Sequence, residues 1–276
     1  MRHCARVRNV APPEDIYTHG HSAVVVSSHA ARTAANSAAY LLPFLRPGLD
    51  LLDVGCGPGS ITIDLAALVA PGRVRGVDVT DDPLPQARAA AADRGLDIDF
   101  GVDDAYALSD ADDSYDVTHA HQVLQHLSDP VGALREMRRV TRPGGVVAVR
   151  DADYDAFTWW PGDERLDRWL EIYRAVAKGN DAEPDAGRRL LGWAHEAGFT
   201  EVTPSASVWC YATPDDRASW GGMWAKRIHS AIGRMAMERG LADQSDLAAI
   251  AQGWLDWAAH PDGWIVIPHG EIVAHA

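Results

Sequence analysis

Cysteine is nearly absent: Cys4, Cys56 and Cys210 are the only three in 276 residues, far apart and without a C-x-x-C pair. That argues against a disulfide framework or a cysteine zinc site and makes the cytoplasm the expected compartment. Bases are outnumbered, 25 Lys+Arg against 39 Asp+Glu, giving a formal charge of -14. Lysine is scarcest of all, with only Lys178 and Lys226. So acidic a chain is a poor match for nucleic-acid backbones or anionic lipid surfaces, and a small molecule is the expected partner of a monomer or homodimer. Long apolar runs are missing too. Val146 to Val149 and Trp264 to Ile267 fall far short of the roughly 20 residues that span a bilayer, and Met1 to Asp15 has bases without an apolar stretch behind them, so neither membrane insertion nor a secretory signal is expected.

What remains is an ordinary globular composition, 47% hydrophobic with 24 Gly and 16 Pro. Residues 1–16 carry Pro12-Pro13 and no periodicity, which predicts an arm. His29 to Leu45 has helical spacing and stops at Pro47-Gly48. The pattern then alternates. Asp50 to Val54 reads as a strand, Gly55 to Gly59 as a loop, Ser60 to Val69 as a helix, and Val74 to Val79 as a second strand. After a further helix come strands near Ile98 to Val102 and Tyr115 to Ala120, a helix over Pro130 to Val140 and a strand over Val146 to Asp151. Strand-helix alternation with right-handed crossovers predicts an α/β, doubly wound sheet.

Beyond Asp151 the composition shifts, and all ten tryptophans lie there, from Trp159 to Trp264. Asp185 to Ala197 reads as one helix, Glu201 to Tyr211 as a strand, Pro214 to Ala259 as two helices joined near Gly240, and Trp264 to Val273 as a strand. With these additions the expected fold is a Rossmann-like, mostly parallel, seven-stranded sheet with helical cover insertions. The expected organisation is an arm and helices over 1–48, a nucleotide-type core over 49–151, and a C-terminal half over 152–276 that completes the sheet and carries a Trp-rich cover over about 214–259.

Glycines at 55, 57 and 59, between a strand and a helix, let a ligand approach the backbone and the helix N-terminus. Ser60 stands where a dinucleotide fingerprint wants Gly or Ala, which disfavours a nicotinamide oxidoreductase. Asp53, two residues before Gly55, suits a ligand carrying an ammonium group. Asp78, ending the second strand, is placed for ribose hydroxyls. Asp104 is placed for an adenine amino group, with the Ala105 amide facing the ring.

Leu-Leu-Asp-Val-Gly-Cys-Gly-Pro-Gly (51–59), Gly-Val-Asp (76–78), Asp-Asp-Ala-Tyr-Ala-Leu (103–108), Ser-Tyr-Asp-Val (114–117) and Arg-Val-Thr-Arg-Pro-Gly-Gly (139–145) resemble the ordered motifs of class I S-adenosylmethionine-dependent methyltransferases. The nearest likeness is to the quinone-type, UbiE-like C-methyltransferase branch, and it spans roughly residues 49–151. The resemblance implies S-adenosyl-L-methionine as cofactor and S-adenosyl-L-homocysteine as its product. It places Asp53, Gly55 and Gly57 around the methionine moiety, Asp78 at the ribose, and Val79, Asp104 and Ala105 at the adenine. Cys56, inside the loop, and His119, on the fourth strand, are further candidate contacts; for Cys56 the alternative is simple packing.

Such an enzyme aligns an acceptor against an already activated methyl group, which accounts for the lack of a nucleophile motif. Candidate catalytic residues are His121 or His21 as proton acceptor, Asp151 as a carboxylate facing positive charge on the acceptor, and Tyr17 in the polar aromatic segment ahead of the first strand. Trp220 and Trp224, one helical turn apart, are candidate acceptor walls. Asp151, Asp153 and Asp155 begin like a calcium loop, but Ala156 and Gly162 break the pattern. His119 and His121 lack a nearby third ligand, so no metal is expected.

The expected reaction is C-methylation of an aromatic, polycyclic or indole-like acceptor in secondary metabolism. Quinone-pathway C-methylation, O- or N-methylation and cofactor binding without catalysis are the alternatives. Asp78→Ala is expected to weaken S-adenosylhomocysteine binding by about 1 to 3 kcal/mol, the loss of a charged acceptor for buried hydroxyls. Calorimetry checks this, and an unchanged affinity would displace Asp78 from the ribose.

Overall fold

The computed structural model describes residue 15 and residues 32–276. Strands β1 (Leu51–Val54), β2 (Val74–Asp78), β3 (Asp99–Val102), β4 (Tyr115–His121) and β5 (Thr141–Ala152) pair in parallel in the order β3-β2-β1-β4-β5. β1 and the last five residues of β4 are buried throughout, as expected of central parallel strands covered on both faces. Helices α2 (Ser60–Val69), α3 (Leu84–Asp93) and α4 (Pro130–Val140) make the crossovers. The strand order reverses between β1 and β4, and a crevice forms there at the carboxyl ends of both.

Among the described residues the sheet has eight strands, one more than expected. β8 (Trp264–His275) runs antiparallel to β5 along Val146–Ala152 and to β7 (Val202–Tyr211) on its other edge. That leaves Trp264 to Val266 unpaired on the β5 side, and β6 (Thr158–Trp160) fills the position, satisfying backbone groups that would otherwise be orphaned.

Three segments are cut differently from their sequence pattern, and one further helix forms where the pattern set no bounds. The described part of the expected 29–45 helix is α1 (Ala34–Ser37), capped by Thr33, followed by a turn and a 3-10 turn over Leu42–Phe44, where Pro43 has no N–H to continue a helix. Residues 185–197 split into a 3-10 turn over Ala186–Arg189 and α6 (Leu190–Glu196). Between the fifth strand and residue 185, where the sequence pattern set no bounds, Glu164–Lys178 forms α5, capped by Asp163. The expected pair of helices over 214–259 is three: α7 (Pro214–Arg227), α8 (Ala231–Glu238) and α9 (Gln244–Ala259). The additional break falls at Ile228 to Ser230, where Gly233 packs so close that a Cβ on it would stand 1.9 Å from the Ile228 carbonyl.

Four of the ten tryptophans, Trp169, Trp224, Trp254 and Trp257, are buried in the core. Trp169 of α5, Trp224 of α7 and Trp254 of α9 are fully buried, and Trp169 meets the other two edge-to-face at 4.5 and 4.9 Å. Ile265 and Ile267 of β8 join the same cluster, so the aromatic cover is seated on the last strand of the sheet.

α7 and α9 approach closely because residue 221 is glycine. A Cβ there would stand 2.6 Å from the Trp254 carbonyl, whereas one at Gly222 would meet nothing within 4 Å. Gly221→Ala is therefore expected to destabilise the fold by about 1 to 3 kcal/mol through overpacking. Gly222→Ala should stabilise it by up to about 1 kcal/mol through helix propensity. Paired thermal melts check both signs.

Candidate functional site

The crevice is built by the glycine loop. Gly55, Gly57 and Gly59 have φ of 70°, 55° and 77°, conformations that side chains resist. A Cβ on Gly55 would collide with Val123 at 2.3 Å and one on Gly59 with Ala87 at 2.8 Å, whereas above Gly57 there is open space. Gly57 is thus the point at which a ligand can touch the backbone.

Asp53 and Asp78 brace this loop from below. Thr62 donates its hydroxyl to one oxygen of Asp53 at 2.5 Å, and His119 Nδ1 donates to the other at 2.7 Å. His119 is fully buried, and its bond makes it a support of the Asp53 carboxylate. Asp78 accepts the Gly57 N–H at 2.9 Å. Cys56 is buried among Ile63, Leu84 and Phe100, and burial with nearby Asp53 and Asp78 pushes its thiol up, leaving an inert, packed sulfhydryl at the cavity wall.

At the neighbouring strand ends Val79 is 68% exposed, an apolar surface beside Asp78. Asp104 accepts the Tyr106 N–H at 2.9 Å, and Ala105 is half-buried against the core. Asp15 accepts from the Tyr106 hydroxyl and from the Ser128 N–H at this edge. Tyr17 and His21 lie outside the described residues.

His121 ends β4 beside the loop and, with Arg32, lines a small cavity against Asp53 and residues 55–58. Neither of its ring nitrogens has a hydrogen-bond partner. Burial first, then the charges of Arg32 and Arg150, hold it well below the ordinary histidine range, so the ring is neutral and free to accept. Gln122, next in the chain, takes φ of 54°, a strained conformation for a non-glycine residue. Its carbonyl accepts from Arg32 at 2.6 Å, and its amide lies 2.8 Å from His269 Nε2. His269 Nδ1 in turn bonds the Ile267 carbonyl at 2.9 Å, which fixes its tautomer.

Arg32 also lines a larger cavity of about 470 Å³. Its walls include Tyr154, Phe157, Trp209, Tyr211, Trp220 and Trp224. Trp220 stacks on Tyr211 at 4.6 Å, partly exposed as a wall residue, whereas Trp224 is a core residue that presents only an edge. Trp209 lies 5.7 Å from His121, so His121 stands at the junction of the two cavities.

Asp151 departs from its expected role. It is wholly buried and accepts the Gln125 N–H at 3.1 Å. Burial raises its carboxyl to about 8, so near neutrality it is a neutral acid pinning β5 to the turn at Leu124–His126 and not a charge facing the acceptor. His126, Arg227 and His269 were not singled out from the sequence. They are single residues in helical or strand patterns, brought together only by β8 and the cover. Among the described residues no group of three potential metal ligands occurs, and no helix is long and apolar enough to cross a membrane.

Residues 45–198 match the family model of a methyltransferase domain. The chain is 32% identical to an uncharacterized methyltransferase of Schizosaccharomyces pombe, covering 93% of this chain and 95% of that one. It is 28% identical to a protein of Aspergillus luteorubrus named "Probable methyltransferase ltbC", covering 94% and 96%. Similarity to the ubiquinone/menaquinone biosynthesis C-methyltransferase UbiE of Bdellovibrio bacteriovorus is higher, 41%, but spans only 38% of this chain and 44% of that one. Among solved structures, the [4+2]-cyclase SpnF shares the fold with a TM-score of 0.51 at 24% identity, over 90% of this chain and 79% of that one. Phosphoethanolamine N-methyltransferase 2 of Haemonchus contortus, solved with S-adenosylhomocysteine, does so with 0.55 at 18%, over 86% and 52%. With the glycine loop at the switch point of a Rossmann-like sheet, and with the model matching more than half of its length, this chain belongs to the methyltransferase-domain family and is an S-adenosylmethionine-dependent methyltransferase.

Proposed function

We propose that the enzyme methylates a ring carbon of an aromatic, bicyclic or polycyclic acceptor in secondary metabolism. The observation that carries this reading is the aromatic-walled cavity of about 470 Å³ that adjoins the glycine loop through Arg32, with neutral His121 at the junction. Its volume lies in the range of small-molecule sites, and burying apolar acceptor surface against such walls contributes about 25 cal/mol per Å². The limited extent of the likeness to UbiE favours an acceptor outside the quinone branch.

The residues present fit the cofactor. Open space at Gly57 admits a ligand to the backbone, Asp78 with Val79 offers a carboxylate and an apolar surface for a nucleoside, and Asp104 and Ala105 lie at the next strand end. Asp53, held rigid by Thr62 and His119, faces the methionine end, and Arg32 takes its carboxylate. When bound, S-adenosylmethionine supplies an electrophilic methyl group. The chain's own part is to enclose the acceptor, exclude water and remove a proton. His121 takes the ring proton displaced as the new carbon–carbon bond forms, and its unpartnered nitrogens leave it free to do so.

Incubation with 13C-methyl-labelled cofactor and a panel of indoles, polycyclic phenols and quinols tests the reading. A labelled methyl resonance on carbon of an indole or polycyclic product supports it; an O- or N-methyl product, or quinols as the preferred acceptors, overturns it. His121→Gln is expected to lower kcat by about 10²- to 10⁴-fold. Because only the deprotonated ring accepts, and its proton affinity is held low, wild-type kcat should stay flat from about pH 6 to 8 and fall only at more acidic pH. A limb centred near the ordinary histidine value would remove His121 from this role.

A further inference from the structure

Arg227, at the end of α7, is 5% exposed and lines the aromatic cavity. Its Nη1 reaches only the Met223 sulfur, at 3.7 Å, and the guanidinium lies 4.9 Å from the Trp224 ring centroid. Nε and Nη2, the two donors that form the side-on fork of a guanidinium, have no hydrogen-bond partner, and among the described residues no acid lies within ion-pair distance. A buried guanidinium remains charged, and leaving its donors unmatched is costly.

The surroundings reinforce that charge. His126, on the same cavity, is driven to about 3 by burial and by the charges of Arg227 and Arg32, so it is neutral and adds no competing cation. The two acids on the wall are already engaged. Glu271 binds Arg150, Ser205 and Ser207, and Asp216 closes the capping box of α7. In a chain of net charge -14, two arginines line an aromatic chamber whose acids are committed elsewhere.

From this geometry we infer that Arg227 is a specificity residue that binds a carboxylate on the aromatic acceptor. Two parallel donors match the two oxygens of a carboxylate, and a phenolate would satisfy only one. The inference rests on the proposed aromatic acceptor site and names the class of molecule it selects: an aromatic acid, its ring against Trp220 and its carboxylate on Arg227.

Calorimetric titration of indole-3-acetate and of the isosteric but neutral indole-3-acetamide into the S-adenosylhomocysteine complex tests it. The wild type is expected to bind the acid at least about tenfold more tightly, the worth of one charge-assisted bidentate contact. Arg227→Met should abolish that preference while retaining amide binding and S-adenosylhomocysteine affinity. Arg227→Lys, which keeps the charge without the fork, should retain only part of it. If acid and amide bind wild type equally, or the preference survives in Arg227→Met, the carboxylate role is overturned while the aromatic site stands. If neither compound binds wild type, both fall. Should the Met variant not fold, the wild-type and Lys comparisons decide alone.

Discussion

The insertion of the last strand, antiparallel, between β5 and β7 is the constraint on which the rest of the molecule depends. β8 carries Ile265 and Ile267 into the tryptophan cluster, Ile272 and Ala274 into the core on one face of the sheet, and Val273 into the core on the other. It also delivers His269 and Glu271 to the acceptor side. Arg150 and Glu271 are register partners across β5 and β8 and form a buried ion pair, with Ser205 and Ser207 of β7 completing the acceptor's bonds. A slip of one residue would turn these groups to the opposite face, so the register that assembles the core also assembles the chamber.

The electrostatics of the chamber follow from burial and cations together. His121, His126 and His269 are all held below the ordinary histidine range, in each case by burial first and by arginine charges after it. Neutral imidazoles accept protons, and the arginines beside them supply the positive charge of the chamber. The positive φ of Gln122 sits at the centre of this arrangement, where its side chain links Arg32 to His269. Strain at that residue is offset by the bonds it makes.

The fold alone does not fix the reaction: a [4+2]-cyclase shares it with a TM-score of 0.51. The family match and a relative similar along nearly its whole length carry the methyltransferase assignment. Tyr154, Phe157, Trp209, Tyr211, Trp220 and Trp224, the aromatic walls of the larger cavity, all lie after Asp151.

The sequence by itself determined the parallel half of the sheet, the glycine loop and the acids at the strand ends. Those signals are local: a strand, a turn that only glycine tolerates and a helix follow one another within a few residues. Trp220 and Trp224 were legible as one helical face, but whether each was wall or core was not, because that depends on α5 and α9 closing over α7. Asp151 illustrates the same limit. Its place at the end of β5 was legible, yet its neutrality arises from complete burial, which outweighs the opposing bond from the Gln125 amide 26 residues earlier. The junction of His121, Trp209 and His269, and the isolation of Arg227 from any acid among the described residues, were decided only by tertiary structure, because they join β4, β7, β8 and α7 across long stretches of chain, and no periodicity in a single segment encodes a contact between segments.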